Sequence, residues 1–262
     1  MRMHGFLDAL PIWALFLSVL IVSLTSFETG FWIGRRRSHR SEKEQEMVVR
    51  GLVGGMLGLE AFMLAFTFGA AATHFDSRRQ TILQEANAIK TAYLRADFLP
   101  EEHCAEIRHL LREYVDVRLE AIRFGKIERG IARSEELQNQ LWNQAAAFKE
   151  MTPSPAFAVQ LIQSLNEIIN LHTRRVIVGT EFRIPNIIML VLYAITSLAA
   201  ASIGYHSGLT GQNRPLVGIA IILAFSAVIM LIEDLDRPMQ GLLEVSQQAL
   251  VDLQSRMYKD IH

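Results

Sequence analysis

Few side chains in this sequence are placed to do chemistry. The one that stands apart is Glu60, a carboxylate inside an otherwise uncharged run from Gly51 to Thr73. An ionisable group within an apolar span is expensive, and by default it marks a functional position. A second group, Glu233, Asp234 and Asp236, offers hard oxygen donors of the kind that hold Ca²⁺. Glu-Asp-Leu-Asp-Arg supplies too few ligands by itself, however, and Arg237 is at hand to pair with one of them, so no metal is expected. His103-Cys104 with His109 reads as a solvated helix face, because no other ligand pair has matching spacing. The lone Cys104 excludes an intramolecular disulfide and any multi-cysteine metal site. There is no glycine-rich phosphate loop, nucleophile elbow or His-Glu-x-x-His helix. Neither an enzyme nor a cofactor is expected. With 26 Lys and Arg against 27 Asp and Glu, there is also no basic surplus to suggest nucleic acid.

What must position Glu60 is a set of long apolar runs. Ala9 to Phe27 holds 19 residues without a charge, and Gly51 to Thr73 holds 23 with Glu60 alone. Asn186 to Tyr205 follows Pro185, and Pro215 to Ile232 gives 18 uncharged residues before Glu233. At about 1.5 Å per residue, 18 residues reach about 27 Å, close to the thickness of a hydrocarbon core. The first run is too long for a signal-peptide core and is followed by an arginine cluster, so it reads as a span. Between the pairs, residues 74–185 carry 15 Lys and Arg and 15 Asp and Glu. That segregation predicts an all-α membrane protein: four transmembrane helices in two pairs, flanking a four-helix water-facing domain. The expected divisions are 1–73 for the first helix pair, 74–185 for the domain, 186–232 for the second pair and 233–262 for an amphipathic tail.

The 28–50 loop contains Arg35, Arg36, Arg37, Arg40, Lys43 and Arg50. Such a cluster is first a topology determinant and second a contact for anionic lipid head groups. The positive-inside rule keeps it in the cytoplasm, which would put the 74–185 domain on the other side. The domain has basic flanks of its own at Arg78-Arg79, Arg174-Arg175 and Arg183.

Within the domain, helix formers dominate and hairpin signals are absent. Pro100 ends one helix, and Glu101-Glu102 suit the first turn of the next. That helix shows Ile107, Leu110, Leu111, Tyr114 and Val117 near 3.6 spacing, with Gly125 and Gly130 bracketing its end. Ser134-Glu-Glu is expected to open a third helix, and a fourth follows Thr152-Pro-Ser-Pro.

The second span has a patterned surface. At about 100° per residue, Phe62, Phe66, Gly69 and Thr73 share one face, with Gly55 and Gly58 beside them. Small residues at this spacing let helices approach closely in lipid. Copies of the helix around an axis would stack Phe62 and Phe66 into a hydrophobic constriction. The plainer reading is lipid-facing or core phenylalanines on a glycine-rich packing helix. Glu60 lies about 160° from Phe62 on the wheel, on the side of Thr67 and His74. If the phenylalanines face a pore, Glu60 faces a neighbouring helix; if Glu60 faces it, the pore is a carboxylate-lined cation path.

The stretch Leu64 to Pro100, LAFTFGAAATHFDSRRQTILQEANAIKTAYLRADFLP, resembles the hallmark of the bacterial bestrophin-like membrane proteins. Glu233-Asp-Leu-Asp-Arg-Pro-Met-Gln-Gly241 with Val245-Ser246 also fits that family, and the likeness covers most of the chain from Gly51 onward. The same place is distantly similar to the bestrophin channels, with Phe66, His74-Phe75 and Arg79 in the positions of their pore-end motif. His74 stands where an arginine is usual, and Thr67 replaces a polar arginine. The neck of those channels has large apolar residues at three successive positions, which fall here on Gly58, Phe62 and Phe66. The glycine leaves one ring of that neck open. Eukaryotic members also use an acidic cluster near the position of Glu233 to Asp236.

The resemblance implies a homo-pentameric ion channel of the bacterial inner membrane, in contact with membrane lipids and inorganic ions, with its helical domain in the cytosol. That orientation is opposite to the one implied by the basic loop. The rival reading is a non-conducting scaffold or sensor whose helical domain receives a ligand or partner.

Overall fold

The computed structural model describes residues 11–38, 43–151, 155–211, 216–237 and 241–259. Among these, the regular structure is helical: α1 (Ile12–Arg37), α2 (Lys43–Arg95), a 3-10 turn (Ala96–Phe98), α3 (Glu101–Arg123), α4 (Ile127–Met151), α5 (Pro155–Thr180), α6 (Asn186–Leu209), α7 (Leu216–Asp236) and α8 (Gln248–Lys259). Four of them, α1, α2, α6 and α7, are long and apolar enough to cross a membrane. The chain forms two compact units. One comprises Met1–Phe75 with Arg183–Glu244, and the other Asp76–Phe182 with Val245–His262. The residues after 232 are therefore divided between them, and α2 contributes to both.

In the first unit, α1 and α6 are held by glycines. A Cβ at Gly30 would meet the carbonyl oxygen of Ala201, and one at Gly34 that of Tyr205. Across the interface, a Cβ at Gly204 would meet the carbonyl oxygen of Phe27, and one at Gly208 that of Phe31. Both pairs are four residues apart, one turn, so the two backbones touch along a double small-residue seam. In lipid, apolar burial offers little drive, and such close fit supplies the association instead. Two apolar clusters complete the unit. One contains Leu64, Ala71, Met189, Leu192, Ile229 and Ile232, with Val19 packed against it. The other contains Phe27, Ala200 and Ile222. Pro185 starts α6, its carbonyl accepting from the amide of Ile188 at 2.8 Å. Gly211 follows the helix with φ 68°, the left-handed conformation that glycine adopts without strain.

In the second unit, water supplies the driving force that lipid does not. Ile89, Ile107, Leu111, Tyr114, Leu137, Leu161 and Ile168 form a core with Leu250 and Met257 of α8. Each fully buried aliphatic or aromatic side chain contributes about 1.5–3 kcal/mol. The end of α3 is a Schellman motif: Gly125 has φ 64°, its amide reaches Ile122, and the amide of Lys126 reaches Ala121 at 2.9 Å. This turn lets α4 begin at Ile127, a correction to the expected start at Ser134. Ser134 lies inside the helix and donates to the Gly130 carbonyl at 2.7 Å. Gly130 belongs to the packing, not to a helix end, since a Cβ there would collide with that of Ala121.

Candidate functional site

The wheel of α2 resolves into two faces. Glu60, Leu64, Thr67 and Ala71 are buried, while Gly55, Gly58, Phe62, Phe66, Gly69 and Thr73 are exposed on the single chain. Phe62 and Phe66 are 67% and 66% exposed, whereas Glu60 is 0% exposed. The two sides predicted to exclude each other are thus separated, with Glu60 turned into its own chain and the phenylalanines turned away. Thr67 donates to the Met63 carbonyl at 2.6 Å and Thr73 to that of Gly69 at 2.8 Å. A Cβ at Gly51, Gly54, Gly55, Gly58 or Gly69 would meet nothing within 4 Å, so among the described residues no helix of the same chain packs on these glycines.

Glu60 sits beside Thr196 of α6. The Thr196 hydroxyl, however, donates to the Leu192 carbonyl at 2.9 Å, as an in-helix threonine in lipid commonly does. Neither carboxylate oxygen of Glu60 has a hydrogen-bond partner, and the same holds for the buried hydroxyl of Ser226 on α7.

The acidic stretch after α7 is occupied by protein donors. Tyr193 donates its phenol to Glu233. The carboxylate of Asp234 accepts the amides of Leu242 at 2.7 Å and Leu243 at 2.9 Å. Asp236 accepts the amide of Ile184 at 3.1 Å and lies 3.4 Å from His74 Nδ1. The three carboxylates point to three different structures: α6, the turn after α7, and the chain entering α6. Among the described residues, no three metal-ligating side chains converge anywhere. Tyr193 and His74 were not legible as their partners, because the pairings join residues 40 and 162 positions apart.

Arg35, Arg36 and Arg37 are exposed in the last turn of α1. Cations there complement the negative end of the helix dipole. Arg36 lies over the Trp32 ring at 5.9 Å from its centroid, an arrangement suited to the membrane interface.

Sequence reasoning missed a polar cluster inside the second unit. Glu85, the acid of the EANAI segment, is fully buried and accepts from Tyr114 at 2.8 Å and from Arg118 at 3.0 Å and 3.3 Å. Arg175 approaches it at 3.2 Å. Burial pushes its carboxyl up, but Arg118 and Arg175, aided by the hydrogen bonds from Arg118 and Tyr114, hold it below the usual carboxylate value. His172 Nδ1 accepts from Arg175 at 2.9 Å, which puts the imidazole proton on Nε2, and Nε2 is buried without a partner. Burial, then the Arg175 charge, pushes His172 down to about 4. Burial and the neighbouring Glu85 push the Tyr114 phenol up. The cluster joins α2, α3 and α5, and Gln138 of α4 reaches the Tyr114 hydroxyl at 3.5 Å. One signal was available: Glu85 falls among Ile82, Ala86, Ala88 and Ile89, so any helix burying those residues buries it too.

Four spans and a helical domain, with a glycine–phenylalanine face left bare on the second span, define an all-α membrane protein of the bestrophin-like type. The family model of the bestrophin-like domain matches residues 19–250, and the chain belongs to that family. Among solved structures, it is similar to a bacterial bestrophin homologue from Klebsiella pneumoniae, with 16% identity and a TM-score of 0.70 over 95% of this chain and 98% of that one. A point mutant of that homologue matches with 15% identity and a TM-score of 0.70 over the same shares. No curated protein matches the chain.

Proposed function

We propose that copies of this chain assemble in the bacterial inner membrane as a homo-oligomeric ion channel, a pentamer by its family resemblance, with α2 of each copy lining the pathway. The observation that carries this reading is the exposure of Phe62 and Phe66 on a glycine-lined face that, among the described residues, no helix of the same chain covers. Small residues at Gly55, Gly58 and Gly69 allow close approach of a second copy. Two phenylalanine rings per copy then form a hydrophobic constriction, a construction that gates by dewetting. Gly58, one turn earlier, leaves the path wider at that level. Thr73 supplies a hydroxyl below the constriction. Arg35, Arg36 and Arg37 anchor the far end of α1 to anionic head groups.

Planar-bilayer recording of the purified protein tests this. Conductance in the wild type, enlarged in the double variant Phe62→Ala/Phe66→Ala, is expected. Silence in both overturns the channel and favours a scaffold or sensor. A monomer or dimer in detergent also overturns it, because one helix per copy could not then enclose a path.

A further inference from the structure

We infer that the first unit contains, at mid-membrane and inside each single chain, a binding site for a small hard monovalent cation, with Glu60 supplying its charge and Ser23, Thr196 and Ser226 its neutral oxygens.

The four residues come from four helices and, by their register against two apolar clusters, fall at one level. Ser23 on α1 stands one turn from Val19 on one side and one turn from Phe27 on the other. Thr196 on α6 stands between Leu192 and Ala200 in the same way, and Ser226 on α7 between Ile222 and Ile229. Val19, Leu192 and Ile229 belong with Leu64 to one apolar cluster. Phe27, Ala200 and Ile222 form the other. Glu60 precedes Leu64 by one turn on α2 and lies beside Thr196. A single polar layer therefore separates the two apolar clusters, near the midpoint of each span. All four residues are buried, at 0% exposure for Glu60 and Ser226, 1% for Ser23 and 3% for Thr196.

Charge and hydrogen bonding narrow what this layer takes. The four apolar runs read from the sequence contain no Lys or Arg, so no side chain in them neutralises Glu60. A protonated Glu60 would donate to the Thr196 hydroxyl beside it, but that would leave its second oxygen and the Ser226 hydroxyl unanswered. Neither carboxylate oxygen is partnered within hydrogen-bond distance, and the buried Ser226 hydroxyl, which the helix register puts in the same layer, is unpartnered too. A cation that bridges carboxylate and hydroxyls takes their lone pairs, while the hydroxyl hydrogens donate to Glu60 or to backbone carbonyls, as Thr196 does. Oxygen-only donors select a hard cation, and one carboxylate balances one positive charge. A divalent ion would leave a net charge in the least polar part of the bilayer. Sodium is the probe of this chemistry.

The site is enclosed within one chain and does not depend on conduction, so its test uses no current. The purified, assembled protein is unfolded by heat in detergent at constant ionic strength, with sodium chloride exchanged for choline chloride. An ion that binds only the folded state raises Tm in a saturable way. The wild type is expected to show that rise. Glu60→Gln is expected to lose it, and Ser226→Ala to raise the half-saturating sodium concentration about tenfold, as loss of one supporting ligand commonly does. A wild-type Tm indifferent to the exchange overturns the site, leaving Glu60 as a protonated acid. An equal rise in Glu60→Gln also overturns it, since the effect would be one of salt alone. If Glu60→Gln does not fold, equilibrium binding of radioactive sodium to the wild type and Ser226→Ala decides. Absent binding, or binding unchanged by the serine, refutes the site.

Discussion

Replacing Glu85 by glutamine isolates what its charge does. The side chain is fully buried, and it is the anion that Arg118 and Arg175 share. Glutamine keeps the shape and one carbonyl oxygen for Tyr114 or Arg118, but it leaves two guanidinium groups facing each other with no counter-charge. Breaking a buried ion pair from one side costs about 3–5 kcal/mol, because the remaining charge stays desolvated. Here two charges remain, so the upper half of that range is expected. At a few degrees per kcal/mol for a unit of this size, Tm falls on the order of 10–20 °C. Thermal unfolding followed by circular dichroism in detergent measures this. A second variant, Glu85→Gln with Arg118→Met, removes one of the stranded charges and is expected to recover part of the loss. A fall below about 2 °C in Glu85→Gln would refute the reasoning, because the cluster would then be hydrated or its charges already screened. An unimproved double variant would place the loss in packing instead.

Three further outcomes follow from the same structure. Unfolded, His172 takes up a proton as the pH drops below 6.5; folded, it stays neutral until about 4. The unfolded state binds more protons in that window, so stability is expected to fall as pH drops from 6.5 to 4, by about 3 kcal/mol in total. His172→Gln should flatten the slope of denaturant-measured stability over that range, and an unchanged slope would assign it to other groups. Gly30→Ala and Gly204→Ala drive a methyl group into a facing backbone carbonyl and should each cost more than about 2 kcal/mol or prevent folding. Gly55→Ala and Gly58→Ala meet open space within the chain and should leave the single-chain fold intact while altering assembly, read by size-exclusion chromatography with light scattering.

Much of this molecule is set by composition along the chain. Apolar runs of 18 or more residues, three without a charge and one with Glu60 alone, are long enough to span as helices in lipid, so four spans follow from residue type alone. The two faces of α2 were also legible, because 3.6-residue periodicity puts Glu60 and Phe62 on opposite sides whatever the surroundings. Which of those faces the chain covers was not legible, since periodicity is the same for a helix turned inward or outward. The structure turns Glu60 in and leaves Phe62 and Phe66 bare.

Glycine use shows the same division. The glycines of the second span drew notice by their density, yet Gly30, Gly34, Gly204 and Gly208 hold the helices together. Four residues split between two distant segments carry no local signal of their pairing. Glu233, Asp234 and Asp236 look from their adjacency like ligands for one ion. Their rotation along the helix end sends them to Tyr193, to the amides of Leu242 and Leu243, and to Ile184. The Glu85 cluster and the layer at Glu60 are likewise tertiary facts. Residue type declares that a buried charge must be answered, but only the packing of separate helices decides which groups stand close enough to answer it.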